Sequence, residues 1–188
     1  MRSEVEGTEL QTPRLLMRAW RDEDLDELAT LCVDPAVMRH FPATLNREQS
    51  QALLIRLQQH FAEHGFTFWS LWSREDERFV GMTGLAHVGF EASFTPAVEI
   101  GWRLSPAFWG QGLAQEAARA SLDFAFTQLA VDRVVAFTTL SNTPSQRVMQ
   151  GLGMQAAGEF EHPSLAPGHP LRRHVLYEMP RSEWPKRS

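Results

Sequence analysis

The chain is poor in cysteine, in tyrosine, in excess positive charge and in long apolar runs. Cys32 is the single cysteine among 188 residues. It cannot close an internal disulfide, which excludes a disulfide-stapled scaffold and points to a reducing compartment, expected to be the cytoplasm. Its place on a helix-like stretch marks it as a small core residue rather than a nucleophile. The net charge is −5, and basic pairs occur only at Arg172-Arg173 and Lys186-Arg187. Nucleic-acid binding by bulk charge is therefore not expected, and the balance slightly favours a cationic partner. No apolar run reaches transmembrane length, and Met1 to Glu6 lacks the apolar core of a signal peptide, so no membrane role is expected. Repeats and low-complexity tracts are also absent.

What is present suits a globular domain. Hydrophobic residues make up 43% and charged residues 22% of the chain. Its length fits one domain, expected over residues 9–181 with flexible ends at 1–8 and 182–188. Six Trp and 12 Phe supply apolar area for a core or a pocket.

Leu10 and then Leu15 to Trp20 read as a first strand interrupted by Pro13. Asp22 is a candidate N-cap for a helix through Cys32. Asp34-Pro35 is expected to start a short helix ending near His40. Asn46 caps a longer helix with Leu53, Leu54, Leu57 and Phe61 on one face, and Gly65 ends it. Phe66 to Trp72 and Arg78 to Leu85 read as a hairpin around a charged turn. Val98 to Leu104 is a strand, Leu113 to Leu129 a helix, Arg133 to Leu140 a strand and Thr143 to Gln150 a helix. Strands at about 155–161 and 173–179 are joined by the loop His162 to Pro170. The order implies a single α+β domain with helices on a mixed sheet.

The most informative segment joins the strand at Val98–Leu104 to the helix at Leu113. It reads Trp109-Gly110-Gln111-Gly112-Leu113-Ala114. Two glycines one residue apart allow a tight turn with exposed N–H groups, and the next helix points its positive end at the same spot. That combination suits phosphate. No Gly-Lys-Ser/Thr follows, so it is not a Walker A loop. Gln115 takes the third glycine position of a dinucleotide fingerprint, which weakens that reading. A plain strand-to-helix turn without a ligand remains a third alternative.

The same segment resembles the pyrophosphate loop of the GNAT superfamily of acetyltransferases, Gln/Arg-x-x-Gly-x-Gly/Ala, with Trp109 departing from the first position. A second block, Asn142-Thr143-Pro144-Ser145 through Leu152-Gly153-Met154, resembles the GNAT element Asn-x-x-Ser…Leu-Gly-Phe, with Met154 in place of the aromatic. Arg14-Leu15-Leu16-Met17-Arg18, followed by Asp22-Glu23-Asp24, resembles the GNAT first strand and helix. The three blocks occur in the family's order across residues 10–180. Glu99-Ile100-Gly101-Trp102 and Gln115-Glu116-Ala117 are similar to the branch that includes ribosomal-protein N-terminal acetyltransferases. That branch also holds enzymes acting on small amines, so it does not name the acceptor.

The resemblance implies a largely antiparallel, twisted mixed sheet of about six to seven strands with about four to five helices. It also implies acetyl-CoA as co-substrate and direct transfer of the acetyl group to a primary amine, on a protein N-terminus or a small molecule. Backbone groups of Trp102, Arg103 and Leu104 would meet the pantetheine arm. Backbone N–H groups of Gly110, Gln111, Gly112, Leu113 and Ala114 would hold the pyrophosphate. Asn142 would contact the pantetheine amide or cap its helix, and Arg147 would reach the nucleotide phosphates or face solvent.

Glu99 is the candidate general base. The tyrosine that many members place seven residues after the asparagine is Met149 here, so Ser145 is the nearest hydroxyl to assist the leaving thiolate. Tyr177 reads as structural. Phe41, Trp69 and Trp72 are pocket or core residues, and the loop holding His162 and His169 is expected to cover the acceptor site. Those two histidines and His174 fit no standard metal spacing, and no metal is expected. The expected state is a monomer or homodimer. The alternative function is an acyl-CoA-sensing module that has lost turnover.

Overall fold

The computed structural model describes residues 8–185. The expected flexible ends therefore lie mostly outside the described residues. In chain order the elements are β1 (Leu10–Gln11), β2 (Leu15–Arg18), α1 (Leu25–Val33), α2 (Arg47–His64), β3 (Phe68–Ser73) and β4 (Phe79–His87). There follow β5 (Val98–Leu104), α3 (Leu113–Gln128), β6 (Arg133–Thr139), α4 (Thr143–Gly151), β7 (Gln155–Glu161) and β8 (Arg173–Pro180). All strands join one eight-stranded sheet in the order β1-β2-β3-β4-β5-β6-β8-β7. Every neighbouring pair is antiparallel except β5 and β6.

The sheet holds more strands than the sequence reading expected, and Pro13 explains the difference. It does not interrupt one strand but sits where the chain reverses. Leu10 then pairs with Met17, and Gln11 with Leu16. Proline is suited to such a reversal because its φ is fixed and it has no N–H to satisfy. The expected helix from Asp34 to His40 is a run of turns instead. Prolines at 35 and 42 bound a segment too short to repay helix nucleation, and the Asp34 carboxylate holds a local turn by accepting from the Ala36 N–H at 2.8 Å. Asp22 does not cap α1. The buried Asp24 instead accepts the Arg21 N–H at 2.8 Å and a two-pronged pair of bonds from Arg18, both 2.8 Å.

Asn46 and Gly65 behave as expected. Asn46 and Gln49 exchange side chain-to-backbone bonds at 2.8 and 2.9 Å, and Gly65 ends α2 at φ 77°.

Strand alternation sorts the core onto two faces. Val98, Ile100 and Leu104 of β5 pack on α3 through Leu113, Ala117, Ala118 and Leu122. The small alanines let α3 approach the sheet. On the other face Phe79 and Met82 of β4 meet Leu28, Leu31 and Cys32 of α1 and Leu54 and Leu57 of α2. Trp69 is fully buried and Trp72 packs on the second face, so both are core rather than pocket residues. Trp184 is buried and its indole donates to Asp123 at 2.7 Å, so the packed unit reaches beyond the boundary expected at residue 181.

Candidate active site

β5 and β6 pair only at Val98↔Val134 and Glu99↔Val135. Beyond that point the strands part. β5 stays with β4 as far as Leu104, while β6 follows β8 as far as Thr139. The β6-facing edge of β5 from Ile100 onward is thus left without a strand partner. An unpaired edge must find other hydrogen-bonding groups, and an extended amide chain is a natural one. The gap is a cleft of about 450 Å³. Phe68, Met82, Phe137 and Met149 give it apolar walls, and His40, Phe41, Pro42, His162, Ser164 and Leu165 rim it. Phe41 therefore is a pocket residue, placed there by the turns after α1. The loop after β7 does reach the cleft, through His162, Ser164 and Leu165 but not His169.

Glu99 stands where the strands part and lines the cleft. Among the described residues no hydrogen bond or ion pair reaches its carboxyl group. Burial alone pushes its pKa up to about 8. His162 and His174 also line the cleft, with ring centroids 5.0 Å apart, and burial lowers both pKa values. Both are therefore predominantly neutral at pH 7.

The opposite end of β5 leads to the glycine loop. Gly110 and Gly112 adopt φ 73° and 75°. An added Cβ would meet nothing within 4 Å at Gly110 and only the Arg14 guanidinium, at 3.7 Å, at Gly112. Backbone conformation, not crowding, therefore requires glycine at both. The N–H groups of Gly110, Gln111 and Gly112 have no acceptor among the described residues. Those of Leu113 and Ala114 lie in the first turn of α3, where helix geometry leaves them unpaired. The result is a concavity of aimed donors at a helix N-terminus, which fits a pyrophosphate. Trp109 at the loop entrance donates from its indole to the Leu104 carbonyl at 2.9 Å. Of the three β5 residues expected on the pantetheine arm, Arg103 turns its backbone groups to Met82 of β4 and Leu104 has its carbonyl engaged by this indole, which leaves Trp102 facing the open edge.

Asn142 lines the cleft as the N-cap of α4. Its Oδ1 accepts from the Ser145 N–H at 3.3 Å and its Nδ2 donates to Thr138 Oγ1 at 2.8 Å. The capping role is formed, and a ligand is left the second Nδ2 hydrogen and the second Oδ1 lone pair. Ser145 Oγ accepts from the Trp102 indole at 3.2 Å. That bond leaves the hydroxyl hydrogen free to be donated into the cleft. Gln115 and Arg119 of α3 both donate to the Gly151 carbonyl at 2.9 Å and so fix α4, which carries Ser145, against α3. Arg147 is exposed on α4 and has no partner among the described residues. Tyr177 is buried and accepts from Gln150 at 3.2 Å, away from the cleft.

Sequence reasoning missed a clamp behind the loop. Arg14 donates to the Gln111 carbonyl at 2.8 Å and to Glu116 Oε2 at 2.7 Å. Glu116 Oε1 accepts from Thr12 Oγ1 at 2.6 Å and from the Arg14 N–H at 2.9 Å. Burial opposes the Glu116 charge, but these bonds outweigh it and hold the pKa below the usual range. The clamp ties the glycine loop to the β1–β2 reversal. Its partners lie about a hundred residues apart in sequence, and no local pattern joins them.

Residues 14–155 match the family description "Acetyltransferase (GNAT) domain". The chain belongs to the GNAT acetyltransferases. Among relatives, the Bacillus subtilis protein YkkB is 32% identical over 151 residues, which are 78% of this chain and 85% of that protein. The Aspergillus fumigatus protein named FsC-acetyl coenzyme A-N(2)-transacetylase is 30% identical over 183 residues, 93% of this chain and 77% of the fungal one. The ribosomal-protein-S5-alanine acetyltransferase of Vibrio fischeri superposes with a TM-score of 0.70 at 17% identity, covering 95% of this chain and all of its own. At that identity the likeness concerns the fold, which this GNAT chain shares with an enzyme of the ribosomal-protein branch. GNAT membership makes the chain an N-acetyltransferase. Among the described residues no helix is long and apolar enough to cross a membrane.

Proposed function

We propose that this GNAT enzyme moves the acetyl group of acetyl-CoA to a primary amine, either a peptide N-terminus or a small molecule, with Glu99 as general base. The observation that carries the reading is Glu99 itself: a partnerless carboxyl group in the cleft, where β5 and β6 part. The free edge of β5 beyond it runs toward the donors of the glycine loop, so one extended donor molecule would span both. The fungal relative's name specifies acetyl coenzyme A as donor and a nitrogen as acceptor, which agrees. The reaction belongs to a reducing, cytoplasmic setting, in which Cys32 stays a buried thiol.

The chemistry needs a neutral amine. Glu99 takes the ammonium proton, directly or through one water, and the amine attacks the thioester carbonyl. A base near pKa 8 matches an α-amino group, whose free pKa is about 8. A lysine-type amine near ~10.4 would give up its proton to the same base far less readily. Ser145 Oγ–H then donates to the departing sulfur, with the Trp102 indole polarising the hydroxyl. Removing that hydroxyl in Ser145→Ala is expected to lower kcat by about tenfold, with a smaller change in the KM for acetyl-CoA. Steady-state kinetics check this, and an unchanged kcat would remove Ser145 from the leaving-group step.

Thiol release from acetyl-CoA, measured with free amino acids, polyamines, aminoglycosides and short peptides, tests the reading. Turnover with one class establishes transfer and assigns the acceptor. Binding of acetyl-CoA without release for any amine would favour the sensing module.

A further inference from the structure

Arg103 is the only lysine or arginine among the described residues that line the cleft. Its side chain leaves β5 on the same face as that of Glu99, four residues along the strand. No carboxylate lies within ion-pair distance of its guanidinium, whereas Arg14, Arg18, Arg133 and Arg173 each hold one. What it has is poor compensation. Nη1 donates to the Cys32 sulfur at 3.2 Å, a weak acceptor. The guanidinium carbon lies 4.3 Å from the centre of the Phe41 ring, which steadies a cation without accepting its hydrogen bonds. Nε is buried and has no partner.

An arginine does not shed its proton to escape such a site. A partly buried cation without an anion costs stability unless an anion arrives to meet it. The two supports it does have, the Cys32 sulfur below and the Phe41 ring beside it, fix the group rather than neutralise it. The open end of the guanidinium is Nη2, and the N–H groups of a fixed cation there match a carboxylate in charge.

Resting on acetyl transfer at this cleft, we infer that the acceptor is an amine that also carries a carboxylate, and that the Arg103 guanidinium binds that carboxylate. The acceptor then lies along β5 with its amine toward Glu99 and its anion toward Arg103. Strand spacing puts the two Cα atoms roughly 13 Å apart, and the long arginine side chain shortens the span between the groups that touch the ligand. Glu99 takes the proton of the ammonium group, and Arg103 selects among amines by their second group.

Matched acid and amide pairs test this: glycine and glycinamide, β-alanine and β-alaninamide, phenylalanine and phenylalaninamide. kcat/KM for thiol release is compared at equal concentrations of neutral amine, since the amides have less basic amino groups. The native chain is expected to prefer the acid of the best pair by roughly ten- to a hundredfold. Arg103→Met is expected to bring that ratio close to one, mainly through the acceptor KM, and Arg103→Lys to leave an intermediate ratio. Equal use of acid and amide by the native chain overturns the inference, whether or not the variants fold. So does turnover confined to polyamines or aminoglycosides, which would leave the acetyl-transfer reading intact. A loss in Arg103→Met expressed wholly in the KM for acetyl-CoA would move the guanidinium to the donor and also overturn it. Failure of every amine to release thiol is the separate outcome that removes the acetyl-transfer reading itself.

Discussion

Glu99→Gln is expected to lower kcat/KM by roughly a hundred- to a thousandfold while acetyl-CoA binding stays intact. Gln keeps the shape of the side chain and loses the ability to take a proton. The native pH profile should carry the signature of the same group. With a pKa of about 8, kcat/KM rises with pH below that value, close to tenfold per unit, and levels above it. With an acceptor whose amine titrates well above 8, Glu99→Gln should lack the break at that pH. A variant with native turnover, or one with the same break, would assign the base elsewhere. Acetyl-CoA binding by calorimetry separates this loss from a damaged donor site.

The same substitution has an opposite effect on stability. Burial raises the pKa of the folded state above the ordinary value of 4.5. Below the ordinary value the group is protonated in both states and costs nothing. As the pH climbs toward 8, the unfolded chain ionises while the folded chain holds the proton, and folding loses about 1.4 kcal/mol per unit. Glu99→Gln removes that loss. Its advantage in Tm over the native chain should therefore be small near pH 5 and grow through pH 8. A difference that stays constant with pH would contradict the half-buried, partnerless carboxyl group. Loss of activity with gain of stability is the pattern of a group kept in place for function.

Gly112→Val is expected to weaken acetyl-CoA binding by at least a hundredfold, about 3 kcal/mol at room temperature. Two effects combine. At φ 75° a β-branched residue is strained, and the added side chain grows toward the Arg14 guanidinium, 3.7 Å from an added Cβ, which braces the loop. Gly65→Val separates the two effects. Gly65 has nearly the same φ, 77°, with open space around it, but closes α2 away from the cleft. Both variants should lose comparable thermal stability, and only Gly112→Val should lose acetyl-CoA. Equal donor affinity in the two variants would mean that the pyrophosphate is held elsewhere.

Much of this was legible in the amino-acid order because the information is local. The helical spacing of Leu54, Leu57 and Phe61, the Asn46 cap and the αL glycine at 65 each act within a few residues, and α2 followed from them. The glycine loop was legible for the same reason: a positive φ, exposed N–H groups and a helix start are properties of one short segment. Where the reading failed, competing local preferences were too weak to decide. Pro13 suited a strand break as well as a reversal, and the pairing of Leu10 with Met17 settled it. The segment from Asp34 to Pro42 had helix-like composition but no length to pay for nucleation, and its turns carry Phe41 to the cleft rim.

The sequence by itself determined the α+β class, the place of the glycine loop and the presence of a carboxylate on the strand leading to it. Only the tertiary structure decided what those groups meet. That Glu99 lies without a partner depends on where β5 and β6 part, which is fixed by β6 following β8. That Arg14 and Glu116 brace the loop depends on bringing together residues about a hundred positions apart. That Arg103 faces the cleft with a sulfur and a ring for company depends on α1 packing against β4 and on the turns that follow α1. Burial, pKa and unmet hydrogen bonds are properties of an environment, and an environment exists only once distant segments have packed.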